Sequence, residues 1–210
     1  MDVAVTSPFP FEALPRIWRW IETFKHKVSD DFGPQTLQDF VSFAAAKWDQ
    51  QKTWAVYVDG ELGGLITFER LSPWLGTAHW IFKPDFQGKG IAVRASRVAI
   101  AEMFAEGIGK LAVYPLAGNY AMGALLCSLG FEREGTLISH TLCGGKPTDM
   151  WGYGLTKSQF EGKQNAVSSS TTPSVDRRGS LDSGLALVGQ AEDQHLDQQH
   201  CNKSDQFEYL

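Results

Sequence analysis

An α/β fold, with a mixed and mostly antiparallel sheet flanked by helices, is predicted by three observations. Short runs with strand-like alternation interleave with longer runs whose apolar residues recur at helical spacing. Asp59-Gly60 and Gly144-Gly145-Lys146-Pro147 each separate a pair of strand-like runs, as hairpin turns do. Between these hairpins the order is strand, helix, strand, helix, which mixes the strand directions of the sheet.

Leu14 to Phe24 and Thr36 to Trp48 carry helical apolar spacing. In the second, Leu37, Phe40, Val41, Phe43, Ala44 and Trp48 fall on about one face. Thr53 to Val58 and Leu62 to Leu71 form the first hairpin, and Gly76 to Phe82 is a third strand. Ile91 to Phe104 reads as a helix whose Ala92, Ala95, Ala99 and Met103 form a stripe able to lie close on a sheet. Leu111 to Tyr114 is a short strand, and Asn119 to Leu129 a helix stopped at Gly130. Phe131 to Cys143 and Thr148 to Leu155 make the last hairpin. No strand is evident in Met1 to Arg16.

The chain has 210 residues, 43 % of them hydrophobic and 12 % aromatic, enough to bury one sizeable core. Its composition changes after Phe160. Residues 161–210 hold no Trp, only Phe207 and Tyr209 as aromatics, and the run Ser168-Ser169-Ser170-Thr171-Thr172-Pro173. Eight acidic residues against four basic give this stretch −4 of the total formal charge of −5. It buries too little apolar area to offset its ordering entropy. A folded domain over 1–160 and a polar, acidic, disordered tail over 161–210 are therefore expected.

The same numbers exclude whole classes of function. An acidic chain lacks the clustered Lys and Arg that nucleic-acid phosphates require. No apolar run approaches the ~20 residues needed to cross a bilayer. The opening Met1-Asp2-Val3-Ala4-Val5 does not read as a signal peptide. Cys127, Cys143 and Cys201 lack CxxC spacing and read as reduced thiols of a cytoplasmic protein. The five histidines form no HxxxH or HExxH pair, so no metal site is expected.

The most informative segment is Lys83 to Ala92, which joins a strand to a helix through Gln87-Gly88-Lys89-Gly90. Glycines there let backbone amides lie against a ligand, and the free N–H groups of a helix start point to the same spot. That arrangement suits phosphate. The first glycine and the final Ser/Thr of a Walker loop are missing, as are the three glycines and distant acid of a dinucleotide fingerprint. What remains is Gln87-x-x-Gly90-x-Ala92.

This pattern resembles the acyl-CoA pyrophosphate loop of the GNAT-superfamily N-acetyltransferases. Ala78 to Gly90 is similar to the corresponding strand and loop of the RimJ/RimL-like branch. Asn119, Leu129-Gly130-Phe131, Glu134-Gly135-Thr136-Leu137, Gly145-Lys146, Asp149 and Tyr153-Gly154-Leu155 follow in the family's order. The likeness spans about Thr53 to Phe160. It implies a GNAT fold and transfer of an acetyl group from acetyl-CoA to a primary amine, a protein N-terminus or a small molecule, without a metal. It implies that Gln87, Gly88, Lys89, Gly90, Ile91 and Ala92 grip the CoA pyrophosphate. It also implies that Ile81 and Phe82 pair with the pantetheine arm, which Asn119 contacts from the next helix. Oligomeric state stays open, a homodimer included.

Departures from the family pattern are as informative. Met122 stands where the family often has Ser, and Leu126 where many members place a Tyr acid. A GNAT-fold binding component without turnover is the alternative these changes raise. For an active enzyme, His79 is the first candidate base, because its pKa lies near neutrality. Glu69 on the neighbouring strand is the second. Cys127 is a candidate proton donor to the leaving thiolate, and Tyr114 and Tyr120 are others. Trp18, Trp20, Phe24 and Trp74 are candidates for the acceptor wall.

Overall fold

The structure is a computed structural model and describes residues 1–169. A compact unit spans Met1–Glu161, and a second unit begins at Gly162. The first unit is built, in order, from β1 (Val3–Thr6), α1 (Leu14–Val28), α2 (Leu37–Lys47), β2 (Gln51–Val58), β3 (Glu61–Arg70), β4 (Leu75–Phe82), α3 (Ile91–Ala105), β5 (Lys110–Val113), α4 (Tyr120–Leu129), β6 (Glu132–Cys143) and β7 (Lys146–Thr156). A last helix, α5 (Lys157–Ser169), starts in this unit and continues past its end. The expected boundary at Phe160 thus falls inside a helix, and the rest of the expected tail lies outside the described residues.

All seven strands join one sheet in the order β1-β2-β3-β4-β5-β7-β6. Every neighbouring pair is antiparallel except β4 with β5. The strand that the sequence does not announce is β1. It is short, with only Val3 and Val5 partly covered, and it exists because β2 offers a pairing edge from Val58 to Ala55.

Alternation along the strands divides the core between the two faces of the sheet. On one face Trp54, Val56, Ile66, Phe68, Ala78 and Trp80 pack with Ala95, Ala99 and Met103 of α3 and Leu126 and Leu129 of α4. On the other, Ala55, Leu62 and Leu65 pack with Ile17, Trp18, Trp20 and Ile21 of α1. The helix ends follow the local chemistry. Thr36 and Asp39 form a reciprocal capping box at the start of α2. Gly130 ends α4 at φ +95°, with the Phe131 amide turned back to the Leu126 carbonyl at 3.0 Å. In α2, Phe40, Val41 and Ala44 pack inward, whereas Phe43 and Leu37 are exposed, so the expected single apolar face is narrower than its residues suggest.

The parallel pair controls the shape of the site. β4 and β5 are bonded only at Leu75 with Lys110 and at Gly76 with Leu111. Beyond those residues the two strands carry no further pairing, and a gap opens between their C-terminal ends. Gly76 sits at the apex of that gap, under the ring of Phe68. A Cβ there would meet two Phe68 ring atoms at 2.1 and 2.4 Å and the Glu69 carbonyl oxygen at 3.3 Å. Gly76→Ala is therefore expected to cost about 1–3 kcal/mol of stability by overpacking. Urea unfolding should show a lower midpoint with an unchanged slope.

Candidate active site

The strand-to-helix turn lies at the open end of the gap, directly after β4. Pro84–Phe86 form a 3-10 turn, and Gln87 through Gly90 lie at the surface. Gly88 and Gly90 both have φ +70°, and an added Cβ at either would meet nothing within 4 Å. Gly90 caps α3 without a side chain, and the first amide to find a carbonyl there is that of Arg94, on Gly90. Among the described residues no protein acceptor takes the amides of Gly88, Lys89, Gly90, Ile91, Ala92 or Val93. Several N–H donors and the positive end of a 15-residue helix thus face one open spot, which fits a diphosphate. No carboxylate among the described residues pairs with Lys89. Lys83, by contrast, is held by Glu61 at 2.9 Å and Asp85 at 3.2 Å, and these partners raise its pKa.

The register settles which backbone groups look into the gap. The Lys83 amide donates to the Gly63 carbonyl at 2.9 Å, and the Trp74 carbonyl accepts from Lys110 at 3.1 Å. Alternation then turns the amides of His79 and Ile81 toward β3 and those of Ala78, Trp80 and Phe82 toward the gap. Of the two strand residues expected to meet a pantetheine arm, Phe82 presents its backbone to the gap. Ile81 instead packs its side chain against the α1–α2 cluster. Asn119 caps α4, its side-chain oxygen accepting from the Met122 amide at 3.2 Å. Its side-chain nitrogen has no acceptor among the described residues and remains able to donate. Leu126, at the position of the absent Tyr acid, is fully buried.

His79 and Glu69 share the face of the sheet that carries α1 and α2. Thr67 lies opposite His79 and Thr77 opposite Glu69, so the two candidates are diagonal neighbours on adjacent strands. Glu69 is already occupied. Lys47, at the end of α2, donates to its two oxygens at 2.9 and 3.1 Å, and Gln51 adds a bond at 3.2 Å. The Lys47 ammonium holds the Glu69 carboxyl below the usual range, against the opposing effect of burial. The His79 side chain is exposed on this face of the sheet. Desolvation by the surrounding protein pushes its pKa below 6.5; the Glu69 charge pulls it up and the Lys47 charge pushes it further down. The net shift favours the neutral imidazole, whose lone pair can accept a proton. Spacing along the chain does not reveal Lys47 and Gln51, because neither forms a local motif with Glu69.

The structure separates other candidates from this face or assigns them different work. Cys127 is partly buried in α4, packed against the core. The expectation of a reduced thiol holds for Cys143. Trp18 and Trp20 are buried packing residues of α1, and Trp18 stacks on Phe40 with centroids 5.5 Å apart. Trp74 is exposed but lies before β4, at the paired end of the parallel strands. Asp149 accepts from the Ser139 amide at 2.7 Å and so holds an irregularity in β6, where Ser139 has φ +51°. Tyr120 and Tyr114 are exposed beside Asn119, and Tyr120 packs on Trp151 at 5.4 Å. Among the described residues no helix is long and apolar enough to cross a membrane, and no cluster of potential metal ligands occurs.

Comparison with known proteins agrees with this geometry. Residues 7–132 match the model of the acetyltransferase (GNAT) domain family. No curated protein sequence matches the chain. Several solved structures share the fold. An N-acetyltransferase from Staphylococcus aureus Mu50 has a TM-score of 0.61 at 20 % identity, over 74 % of this chain and 99 % of that one. Spermidine N-acetyltransferase from Vibrio cholerae, in complex with CoA and spermine, has 0.65 at 16 %, over 76 % and 98 %. Mycobacterium smegmatis RimJ, in complex with CoA-disulfide, has 0.65 at 16 %, over 79 % and 89 %. At these identities the structures speak for the fold alone, and the family assignment rests on the match over residues 7–132. The chain belongs to the GNAT family of acetyltransferases.

Proposed function

We propose that the protein transfers an acetyl group from acetyl-CoA to a primary amine, by direct attack within a ternary complex. The observation that carries this reading is the pairing of two features across one gap. Unpartnered amides from Gly88 to Val93 stand at its mouth, and His79, favoured as the neutral imidazole, stands on the α1–α2 face. Cofactor and acceptor would approach from opposite faces of the sheet, with the β4 edge between them.

The diphosphate would sit on the Gln87–Ala92 backbone and the pantetheine arm along the Phe82 side of β4, within reach of Asn119. The acceptor amine arrives mostly protonated at pH 7 and must lose a proton before or during attack. His79 takes that proton, directly or through one water. Nitrogen then bonds to the thioester carbon, the tetrahedral oxyanion collapses as the carbon–sulfur bond breaks, and the nitrogen's second proton passes to the leaving thiolate, directly or by relay. The amides of Trp80 and Phe82, turned into the gap, are the donors placed to stabilise the oxyanion. The leaving thiolate is a modest base with a pKa near that of an ordinary thiol, about 8.5, so a water or a tyrosine such as Tyr120 suffices to relay that proton to it. Alignment of amine and thioester supplies much of the acceleration, which is why Met122 and Leu126 are compatible with turnover.

The acceptor reading stops at a primary amine. Local strings from Ala78 to Tyr153 favour the RimJ/RimL-like branch and hence a peptide N-terminus. Calorimetry with acetyl-CoA should give micromolar binding, about −8 kcal/mol. Free-thiol release with a panel of short peptides and small amines should then identify acceptors. Binding weaker than millimolar would refute the loop assignment, and binding without thiol release from any amine would support the non-catalytic alternative.

A further inference from the structure

No residue of α2 is buried, yet its last residue reaches the sheet and takes hold of a charge there. Lys47 donates to both oxygens of Glu69, at 2.9 and 3.1 Å, and the Phe43 ring backs the ammonium with its centroid 5.2 Å from Nζ. Gln51 donates to the same carboxylate at 3.2 Å. Lys47 and Gln51 stand at the two ends of one short connection: α2 ends at Lys47, a 3-10 turn follows over Trp48–Gln50, and β2 begins at Gln51. Gln51 is also the residue that pairs with Glu69 in the β2–β3 register. These bonds therefore reach the carboxylate from the side of β3 that carries β2.

His79 lies on the other side of β3. It belongs to β4, stands opposite Thr67, and is the diagonal neighbour of Glu69, a separation that a glutamate and an imidazole can span. The row of residues through His79 continues to Thr67 and Thr53, and the next row toward the open end is Ile81, Leu65 and Ala55, so neither adds a charge. Among the described residues the charges of the neighbouring elements lead elsewhere. α1 turns Leu14, Ile17, Trp18 and Ile21 to the sheet, while Arg19 and Glu22 are exposed, Arg16 pairs with Glu61 and Lys25 donates to the Gln35 carbonyl. Lys110, at the start of β5, pairs with Glu134. Glu69 and Lys47 are left as the two charges that face His79. A Glu69 released from Lys47 has one further cation in reach, the protonated imidazole. That ion pair would hold the proton on His79 and remove the base at neutral pH.

We propose that Lys47 is a positioning residue for the base: it holds the Glu69 carboxylate on the β2 side of β3 and so keeps that carboxylate from closing an ion pair with His79. Lys47 touches neither substrate nor cofactor and acts through Glu69. The proposal rests on the reading of His79 as the base for its catalytic consequence, and on the Lys47–Glu69 bonds alone for the geometry.

The test titrates the His79 imidazole by NMR in the full chain, its signal assigned by its loss in His79→Gln. Wild type is compared with Lys47→Met, Lys47→Arg and the double variant Lys47→Met with Glu69→Gln. In Lys47→Met the titration midpoint should rise by about one pH unit, the effect of an opposite charge at close range. Lys47→Arg keeps the tie and should titrate close to wild type. The double variant has no carboxylate to swing over, and its midpoint should return to that of wild type or below. Thiol release from acetyl-CoA, with a short peptide bearing a free N-terminus as acceptor, reads the consequence. In Lys47→Met the acid limb of kcat/KM should move up with the midpoint, a loss of up to about tenfold at pH 6 that is recovered by pH 8.5. An unmoved midpoint in Lys47→Met overturns the proposal, and so does a rise of the same size in the double variant. A midpoint that rises as expected while the limb stays in place upholds the positioning geometry and overturns the reading of His79 as the base. If no thiol is released at any pH, the transferase reading fails while the NMR titration still decides the role of Lys47.

Discussion

Replacing Gly90 with valine abolishes acetyl-CoA binding, moving the dissociation constant from the micromolar range to beyond 1 mM, from about −8 to weaker than about −4 kcal/mol. Two properties of the position combine. The backbone at Gly90 has φ +70°, a left-handed conformation that costs an ordinary L-residue about 1–2 kcal/mol and a β-branched one more. Valine relieves this strain by rotating the peptide planes on either side, which turns away the amides of Gly90 and Ile91. The space around the missing Cβ is also open, so the new methyl groups project to where a phosphate must approach. That openness leaves the fold uncrowded, and the thermal midpoint should fall by only a few degrees. Gly90→Ala, with less bulk but the same backbone conflict, should give an intermediate affinity. Calorimetry and a melting curve on the same samples separate loss of site from loss of fold. Unchanged affinity in Gly90→Val would sink the phosphate loop.

The loop, α1 to α4 and six of the seven strands are legible in the sequence because their signals are local; α5, which crosses the expected boundary at Phe160, is not. Alternating Val, Ile, Leu and Trp in β2, β3 and β4, the hairpin turn at Asp59-Gly60 and the stop at Gly130 each act within a few residues. β1 is not legible: four residues with two half-covered valines are a strand only because the β2 edge is there to pair with them. The site divides along the same line. The glycine turn announces itself, but the Lys47–Glu69 bond joins residues 22 positions apart. It cannot be read from spacing, and it changes a residue's chemistry. By residue type and strand position Glu69 is as good a base as His79; the Lys47 ammonium on its carboxylate makes the difference.

That distinction gives the second large effect. His79→Gln should lower kcat by about 10²–10⁴, the usual range for removal of a general base, with acetyl-CoA affinity within twofold of wild type. Glu69→Gln should lower it less than tenfold, because a carboxylate stabilised by Lys47 and Gln51 accepts a proton poorly. The pH dependence carries the sign. Desolvation by the surrounding protein lowers the folded pKa of His79 from its ordinary 6.5, so the base form is favoured at pH 7 and is lost on further acidification. In wild type kcat/KM should therefore fall along a limb below pH 6.5, and His79→Gln should lack that limb. Stability follows by linkage: the unfolded chain takes up the proton near pH 6.5, while the folded chain resists it until a lower pH. Stability thus declines as the pH drops below 6.5, and that contribution levels off once the folded pKa is passed. His79→Gln should narrow the difference in urea midpoint between pH 7 and pH 5.5. Equal losses of kcat in the two variants, or an acid limb that persists without the imidazole, would move the role of base to another group on the same face.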